Sequence, residues 1–184
     1  MKTKAVLFFA DGFEEMEAIA PLDLLRRADI EVVMVSVSNK LEVVGAHNIE
    51  VKCDVLLADL QLDGVTVFVL PGGPGHRTLG DSKRVCDMLV EANNKGFLLA
   101  AICAAPSILG KLDILNDRRA CCFPGFEGLL SCKDVVMNEP TVTDGNIITS
   151  RGAGTAFLFG IAIVEYLFGK EKAMKLSEQT IYMK

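Results

Sequence analysis

The sequence predicts an α/β protein in which an open, mostly parallel β-sheet lies between two layers of helices. Short, nearly continuous apolar runs recur along the chain, as expected of strands that are buried on both faces. Helical patterns separate these runs, which is the order of βαβ units. The chain has 184 residues, of which 51% are hydrophobic. That is enough for one domain, residues 1–184, with a core on each side of the sheet.

Four apolar runs predict the main strands. In chain order they cover residues 4–9, 30–37, 65–70 and 97–102. Residues 43–51 predict a hairpin that turns at Gly45-Ala46, and shorter strands are expected at 119–123 and 146–149.

Helices are predicted in the connections. Residues 14–28 begin with acidic side chains and end with basic ones, which suits the helix dipole. Residues 82–94 predict a second helix with Asp81 as its N-cap, and another begins near Ala105. Residues 155–168 form a strongly apolar helical pattern, followed by a polar helical tail. This order predicts a flavodoxin-like, three-layer sandwich.

Composition excludes several classes of function. A net charge of −5 argues against binding to nucleic acid or to an anionic membrane. The apolar stretch 153–169 contains Glu165 and is too short to span a bilayer, and the N-terminal apolar run lacks the features of a secretory signal. We therefore expect a cytoplasmic protein.

The six cysteines do not suggest a disulfide framework or a metal site. No pair has CxxC spacing, and His47 and His76 are the only histidines. Reduced thiols and no metal are expected.

Cys103 is the first candidate for chemistry, because it lies between a predicted strand and a predicted helix. A nucleophile on such a sharp bend is exposed at the carboxyl edge of the sheet, a geometry known as a nucleophile elbow. The helix N-terminus is expected to lower the pKa of the thiol. The alternative is an inert, buried cysteine, which is also the more common environment of the other five.

The Pro71-Gly72-Gly73-Pro74-Gly75 segment follows another strand, at the same edge of the sheet. Glycines leave backbone N–H groups free to face an oxyanion. Taken alone, the segment is equally consistent with an ordinary βα turn. Together with Cys103 it predicts a site that has a nucleophile and an oxyanion donor.

Glu17 is out of pattern on its predicted helix. Helical spacing places it on the same apolar face as Ala20, Pro21 and Leu24. A partly buried carboxyl has a raised pKa and can act as a general acid or base. The alternative is a glutamate at the rim of that face, whereas Glu14 and Glu15 are interpreted as solvated acids of the first turn.

Arg151 lies in a turn between a strand and the apolar helix, where it could meet an anion. The turn lacks the lysine of a P-loop and the spacing of a dinucleotide-binding loop. Flavin binding also fits poorly, since carboxylates in the loop after the first strand would repel a phosphate. No cofactor is therefore predicted.

Four motifs together resemble the ThiJ/PfpI superfamily, and within it the branch of the Parkinsonism-associated protein deglycase and its bacterial relatives. They are ADGFEEMEA at 10–18, LPGG at 70–73, AAICAAP at 100–106 and TSRGAGT at 149–155. The resemblance covers essentially the whole chain. It implies a flavodoxin-like sandwich, a homodimer, Cys103 as the nucleophile, Glu17 as its hydrogen-bonded acid or base, and Gly73 and Ala104 as oxyanion-hole amides.

The sequence departs from that family at Phe123, where many members place a histidine near the cysteine. A protease needs a base beside its nucleophile, so protease activity is not expected. His76 is the alternative candidate for a base near the site.

Two functional hypotheses follow from the resemblance. The first is a cofactor-free glyoxalase or deglycase that acts on small reactive carbonyl compounds. The second is an oxidative-stress sensor or chaperone that works through oxidation of Cys103. The same residues serve both hypotheses, so the sequence leaves the choice open.

Overall fold

The computed structural model describes residues 3–182. The strands are β1 (Lys4–Phe9), β2 (Glu31–Ser36), β3 (Glu42–Val44), β4 (Glu50–Lys52), β5 (Val55–Leu56), β6 (Val65–Leu70), β7 (Leu98–Ile102), β8 (Arg119–Ala120), β9 (Asp134–Val135), β10 (Thr141–Asp144) and β11 (Ile147–Ser150). The helices are α1 (Glu15–Arg27), α2 (His76–Asp81), α3 (Lys83–Asn94), α4 (Pro106–Lys111), α5 (Ala156–Phe168) and α6 (Lys170–Gln179). None of these helices combines the length and the apolar character needed to cross a membrane.

Seven strands form the central sheet, in the order β10-β11-β7-β6-β1-β2-β5. All neighbouring strands are parallel except β10, which runs antiparallel to β11 at one edge. The strand pairs β3–β4 and β8–β9 lie outside this sheet. The flavodoxin-like fold predicted from the sequence is confirmed.

Alternate side chains of β1 enter the two cores, which explains its continuous apolar run. Ala5, Leu7 and Phe9 pack in the core that α1, α5 and α6 cover. Val6 and Phe8 pack in the opposite core, under α2, α3 and α4. Helices therefore cover both faces of the sheet.

Most predicted boundaries lie within one or two residues of the observed ones, and three details differ. Asp81 ends α2 and does not cap α3; the Ser82 hydroxyl caps that helix by accepting the N–H of Val85 at 3.4 Å. The strand predicted at 119–123 ends at Ala120. Helix α2, the edge strands β5 and β10, and the short strand β9 were not predicted.

The direction of chain winding reverses between β1 and β6, and this opens a crevice at their carboxyl ends. Two hydrogen bonds join the loops that follow these strands. The N–H of Gly75 donates to the carbonyl of Gly12 at 2.9 Å, and that of Glu14 donates to Gly72 at 3.2 Å. This edge of the sheet is where the candidate site lies.

Candidate active site

Cys103 lies on a strained bend between β7 and α4. Its φ of +65° is left-handed, a conformation that costs a residue with a side chain on the order of 1 kcal/mol or more. Its N–H donates to the Ser150 carbonyl at 2.9 Å, and its own carbonyl accepts the N–H of Phe123 at 2.8 Å. These two bonds to neighbouring segments hold the bend in place.

Glu17 lies in the first turn of α1 and is only 1% exposed. Its Oε2 accepts the N–H of Gly72 at 2.9 Å, and its carboxyl lies beside the Cys103 thiol, where each group affects the pKa of the other. A Cβ on Gly72 would lie 2.6 Å from both Glu17 Oε2 and Cys103 Cβ, so only glycine fits between them. The structure thus brings together the two residues that the sequence singled out.

Glu14 fixes the turn that carries Glu17. It is the N-cap of α1, and its Oε2 accepts the N–H of Glu17 at 2.8 Å. Since the N–H of Glu14 also donates to Gly72, the helix start and the glycine loop form one rigid unit.

Burial dominates the electrostatics of the pair. It raises the pKa of Glu17 to about 7, with help from the charge of Glu14 and against hydrogen bonds from Cys103 and Gly72. The pKa of Cys103 is raised to about 12, mainly by burial and also by the charge and hydrogen bond of Glu17. The raised pKa predicted for Glu17 is confirmed.

The expectation of a lowered thiol pKa is wrong. Burial and Glu17 raise this pKa by more than the Gly73 and Ala104 N–H groups lower it. Both pKa values are raised, so the thiol is protonated at neutral pH and Glu17 titrates beside it. Glu17 is therefore poised to accept that proton as the sulfur attacks.

Gly73 and Ala104 face the sulfur from the ends of β6 and β7. Hydrogen bonds from both backbone N–H groups lower the pKa of Cys103, against the larger effect of burial. Gly73 has a φ of +75°, and a Cβ there would lie 2.5 Å from the backbone of both Gly12 and Glu14. Two N–H donors beside a nucleophile can hold an oxyanion that forms there.

Two side chains donate hydrogen bonds to the backbone carbonyls of Gly73 and Ala104. His76 Nδ1 donates to the Gly73 carbonyl at 2.7 Å, and the Ser107 hydroxyl donates to the Ala104 carbonyl at 2.6 Å. The His76 ring also contacts Phe126 edge to face, with centroids 5.4 Å apart. Within residues 3–182, His76 makes no hydrogen bond to Cys103, so the structure places it behind the glycine loop.

Phe123 and Arg151 lie in the two segments whose backbones are hydrogen-bonded to Cys103. Phe123 is bonded to Cys103 through its backbone, and its ring packs on Gly152. The Nε of Arg151 is buried and has no hydrogen-bond partner among the described residues. The charge of Arg151 lowers the pKa of Cys121, where burial has the larger, opposite effect, and it has no such effect on Cys103.

Glu15 differs from its interpretation as a solvated acid. It is 7% exposed, and its Oε1 accepts the backbone N–H of His47 at 2.6 Å. Its Oε2 pairs with His47 Nδ1 at 2.7 Å. Glu14, Glu15 and His47 bring possible metal-ligand atoms within 4.8 Å of one another, but the Glu15 oxygens are already held by His47.

The sequence did not predict the hydrogen bond from the Gly72 N–H to Glu17, or the one from the Ser107 hydroxyl to the Ala104 carbonyl. The two glycines after β6 partly indicated this site. Gly72 leaves space between Glu17 and Cys103, and Gly73 adopts a left-handed conformation. Nothing in the sequence marked Ser107 as different from any other serine in a helix.

Comparison with known proteins gives one consistent result. A model of the DJ-1/PfpI family matches residues 3–166. The Drosophila melanogaster protein dj-1beta is 37% identical over 97% of this chain and 96% of its own length. The Caenorhabditis elegans protein named glutathione-independent glyoxalase DJR-1.2 is 30% identical over 95% of this chain and 94% of its own length. The Arabidopsis thaliana protein DJ-1 homolog B is 40% identical, but this chain spans only 41% of it.

Solved structures agree with these matches. The crystal structure of Drosophila melanogaster DJ-1beta has a TM-score of 0.93 and 36% identity, and each chain is covered completely. Toxoplasma gondii DJ-1, described as oxidized, has a TM-score of 0.93 and 31% identity over 98% of this chain and 99% of that one. Sequence and fold therefore match the same family along nearly the whole chain.

Proposed function

Because this chain belongs to the DJ-1/PfpI family, we propose that it is a cofactor-free enzyme that acts on small reactive carbonyl compounds through Cys103. One observation carries the proposal: the buried Glu17 carboxyl and the Cys103 thiol meet at Gly72, where a Cβ would lie 2.6 Å from Glu17 Oε2 and 3.0 Å from Cys103 Sγ. The Gly73 and Ala104 N–H groups lower the pKa of that thiol, against the larger effect of burial. The C. elegans relative that is named a glyoxalase supports the choice of substrate class.

The proposed reaction begins with addition of the thiol to an aldehyde. Glu17 accepts the thiol proton while sulfur bonds to the carbonyl carbon and the C=O π bond opens onto oxygen. The Gly73 and Ala104 N–H groups stabilise the oxyanion, and Glu17 returns the proton to it, which gives a hemithioacetal. With a 2-oxoaldehyde, Glu17 moves the proton on C1 of the hemithioacetal to C2, which gives a thioester of the 2-hydroxy acid. Water then cleaves the carbon–sulfur bond, which releases the acid and restores the thiol. With an early carbinolamine adduct, sulfur replaces nitrogen on the carbinol carbon, and Glu17 passes the thiol proton to the departing amine.

Proteolysis is not part of the proposal. Expulsion of an amine from a peptide needs a group that protonates the leaving nitrogen, usually an imidazole beside the nucleophile. Here Phe123 occupies the position of the family histidine, and His76 is bonded to the Gly73 carbonyl.

The test is consumption of methylglyoxal by the purified protein without glutathione. Cys103→Ser should lower the rate to background, because a serine hydroxyl is a far weaker acid than a thiol. Cys132→Ser is the matched control, since Cys132 is also a partly exposed free thiol. Full activity in Cys103→Ser would refute the proposal.

A redox sensor is the second candidate, and chaperone behaviour linked to the same oxidation goes with it. The Toxoplasma gondii relative, whose structure is described as oxidized, favours this candidate. Hydrogen peroxide would oxidise the thiol to a sulfenic and then a sulfinic acid, with one peroxide reduced to water at each step. The Gly73 and Ala104 N–H groups could donate to the sulfinate oxygens. Selective oxidation of Cys103 in a protein that turns over no methylglyoxal would favour this function.

We also propose a homodimer in the cytoplasm. The outer face of α1 and the β3–β4 hairpin expose Met16, Ile19 and Ile49, which together form an apolar surface. A second copy of the chain would cover that surface, and sedimentation equilibrium would test it. The six free thiols suit a reducing compartment.

A further inference from the structure

Phe123 is joined to Cys103 through its backbone N–H, and the residue is 47% exposed. Its ring atoms Cδ2 and Cε2 lie 3.2 and 3.7 Å from the point that a Cβ on Gly152 would occupy. The Oε1 atom of Glu17 lies 3.8 Å from that same point. The aromatic ring and the proposed acid–base group therefore both lie next to Gly152.

The backbone around Phe123 is fixed, although its ring is open to solvent. The Phe123 N–H donates to Cys103 at 2.8 Å, and its carbonyl accepts the N–H of Phe126 at 3.1 Å. Cys121 and Cys122, which precede it, are completely buried. The backbone thus places a large apolar group near Glu17 and Cys103 with much of its surface uncovered.

We propose that Phe123 determines the specificity of this site and favours 2-oxoaldehydes that carry an aryl or larger alkyl group. The inference rests on the proposed function. During addition, the aldehyde carbon bonds to sulfur and its oxygen turns toward the Gly73 and Ala104 N–H groups. The rest of the substrate leaves the sulfur on the open side, past the Phe123 ring. An apolar substituent there covers the exposed ring and releases water from both surfaces.

Phenylglyoxal and methylglyoxal give the direct test, because they share the reacting dicarbonyl and differ in the substituent. The ratio of their kcat/KM values should fall about two- to tenfold in Phe123→Ala, the range of one aromatic contact. The change should lie mainly in KM for phenylglyoxal, and Phe123→Leu should recover part of it. Comparing variants cancels the intrinsic reactivity of the two aldehydes.

Leu129→Ala is the matched control, because Leu129 is also 47% exposed but lies beside His76 and Phe126. In Leu129→Ala the ratio of the two kcat/KM values should equal that of the wild type. An unchanged ratio in Phe123→Ala, or an equal fall in Leu129→Ala, overturns the inference.

A second measurement does not depend on turnover. Phenacyl bromide and bromoacetone both alkylate a thiol, with the sulfur–carbon bond replacing carbon–bromine and bromide leaving. The rate ratio of Cys103 alkylation, followed by mass spectrometry, should fall in Phe123→Ala and not in Leu129→Ala. If the wild type turns over neither dicarbonyl, the proposed function fails while this ratio still tests Phe123. Equal alkylation ratios in the wild type and Phe123→Ala overturn the inference.

Discussion

Glu15 and Glu17 lie two residues apart in the first turn of α1, and both are nearly buried, at 7% and 1% exposure. Burial raises the pKa of each carboxyl. At Glu15 two hydrogen bonds from His47 outweigh burial, and the pKa is lowered. At Glu17 the side-chain partner is the neutral Cys103 thiol, and the pKa is raised to about 7.

The difference shows that deeper burial of the carboxyl and a neutral partner together separate a candidate acid–base group from a structural carboxylate. Glu15 is charged at neutral pH and ties the β3–β4 hairpin to α1. Its carboxylate fills the space where a Cβ on Gly45 would lie, so the hairpin can sit close to the helix. Glu17 titrates near neutrality beside a nucleophile, so it can exchange a proton there.

The largest effect is expected on turnover. Glu17→Gln keeps an acceptor for the Gly72 N–H but cannot take up a proton. Loss of a positioned acid–base group should lower kcat/KM for methylglyoxal by about 10²- to 10⁴-fold. In the wild type, kcat/KM should rise with pH through about 7 as Glu17 becomes a carboxylate, and the variant should lack that rise.

Glu15→Gln is the control for that experiment, since it makes the same change two residues away. Its rate should stay within about threefold of the wild type, because Glu15 does not touch Cys103. A comparable loss in both variants would mean that the helix start, and not proton transfer, limits the reaction.

The second largest effect is expected on the stability of Glu17→Gln, which should increase although its activity falls. The folded-state pKa of Glu17 is raised from 4.5 to about 7. Its protonated form therefore stabilises the fold fully below pH 4.5, and that contribution is lost as the pH rises through about 7. This rise in the pKa corresponds to about 3 kcal/mol in the free energy of unfolding.

Glu17→Gln stays neutral, so it should be more stable than the wild type above pH 7 by up to that amount. Urea unfolding at pH 5 and pH 8.5 measures the difference, which should grow with pH. A variant that is less stable than the wild type at pH 8.5 would show that the buried carboxylate is well compensated.

Local patterns predicted the elements that depend on neighbouring residues. The apolar run of β1 specified a strand buried on both sides, and the out-of-pattern Glu17 specified a carboxyl on an apolar face. The bend at Cys103 followed from small residues between a strand and a proline. Each of these signals lies within a single element or its immediate end.

Contacts between distant segments were not predictable in this way. His47 lies 32 residues from Glu15, and only docking of the hairpin on α1 brings them together. The Gly72 N–H reaches Glu17 across 55 residues. The thiol pKa was misjudged for the same reason, since it depends on burial and on Glu17 more than on the helix that follows Cys103.

A smaller effect is expected on the pKa of the Cys103 thiol, which should change in Glu17→Gln and not in Glu15→Gln. The charge and hydrogen bond of Glu17 raise the pKa of Cys103 beyond the effect of burial. Glu17→Gln should therefore lower that pKa by about one pH unit or more, although turnover falls. Thiolate absorbance near 240 nm, with each protein corrected by its own Cys103→Ser version, measures it. Glu15→Gln should superimpose on the wild type, and three superimposable curves would mean that Glu17 does not contact the thiol.

The smallest effect is expected at the hairpin, from His47→Ala. The lowered pKa of Glu15 gives stability that is present above pH 4.5 and is lost as the pH falls through its folded-state pKa. The pKa of His47 is raised above 6.5, mainly by its hydrogen bond with Glu15, so its contribution is present below pH 6.5 and is lost at higher pH. The pair therefore stabilises the fold most between these two values.

His47→Ala should lower the urea midpoint more at pH 5.5 than at pH 8.5, while methylglyoxal turnover is unchanged. The His47 side chain is 71% exposed, so solvent screening keeps the difference small. Glu50→Gln, an exposed change on the same hairpin, should lower the midpoint equally little at both values. A larger loss for His47→Ala at pH 8.5 would mean that packing of the imidazole holds the hairpin, and that its charge does not.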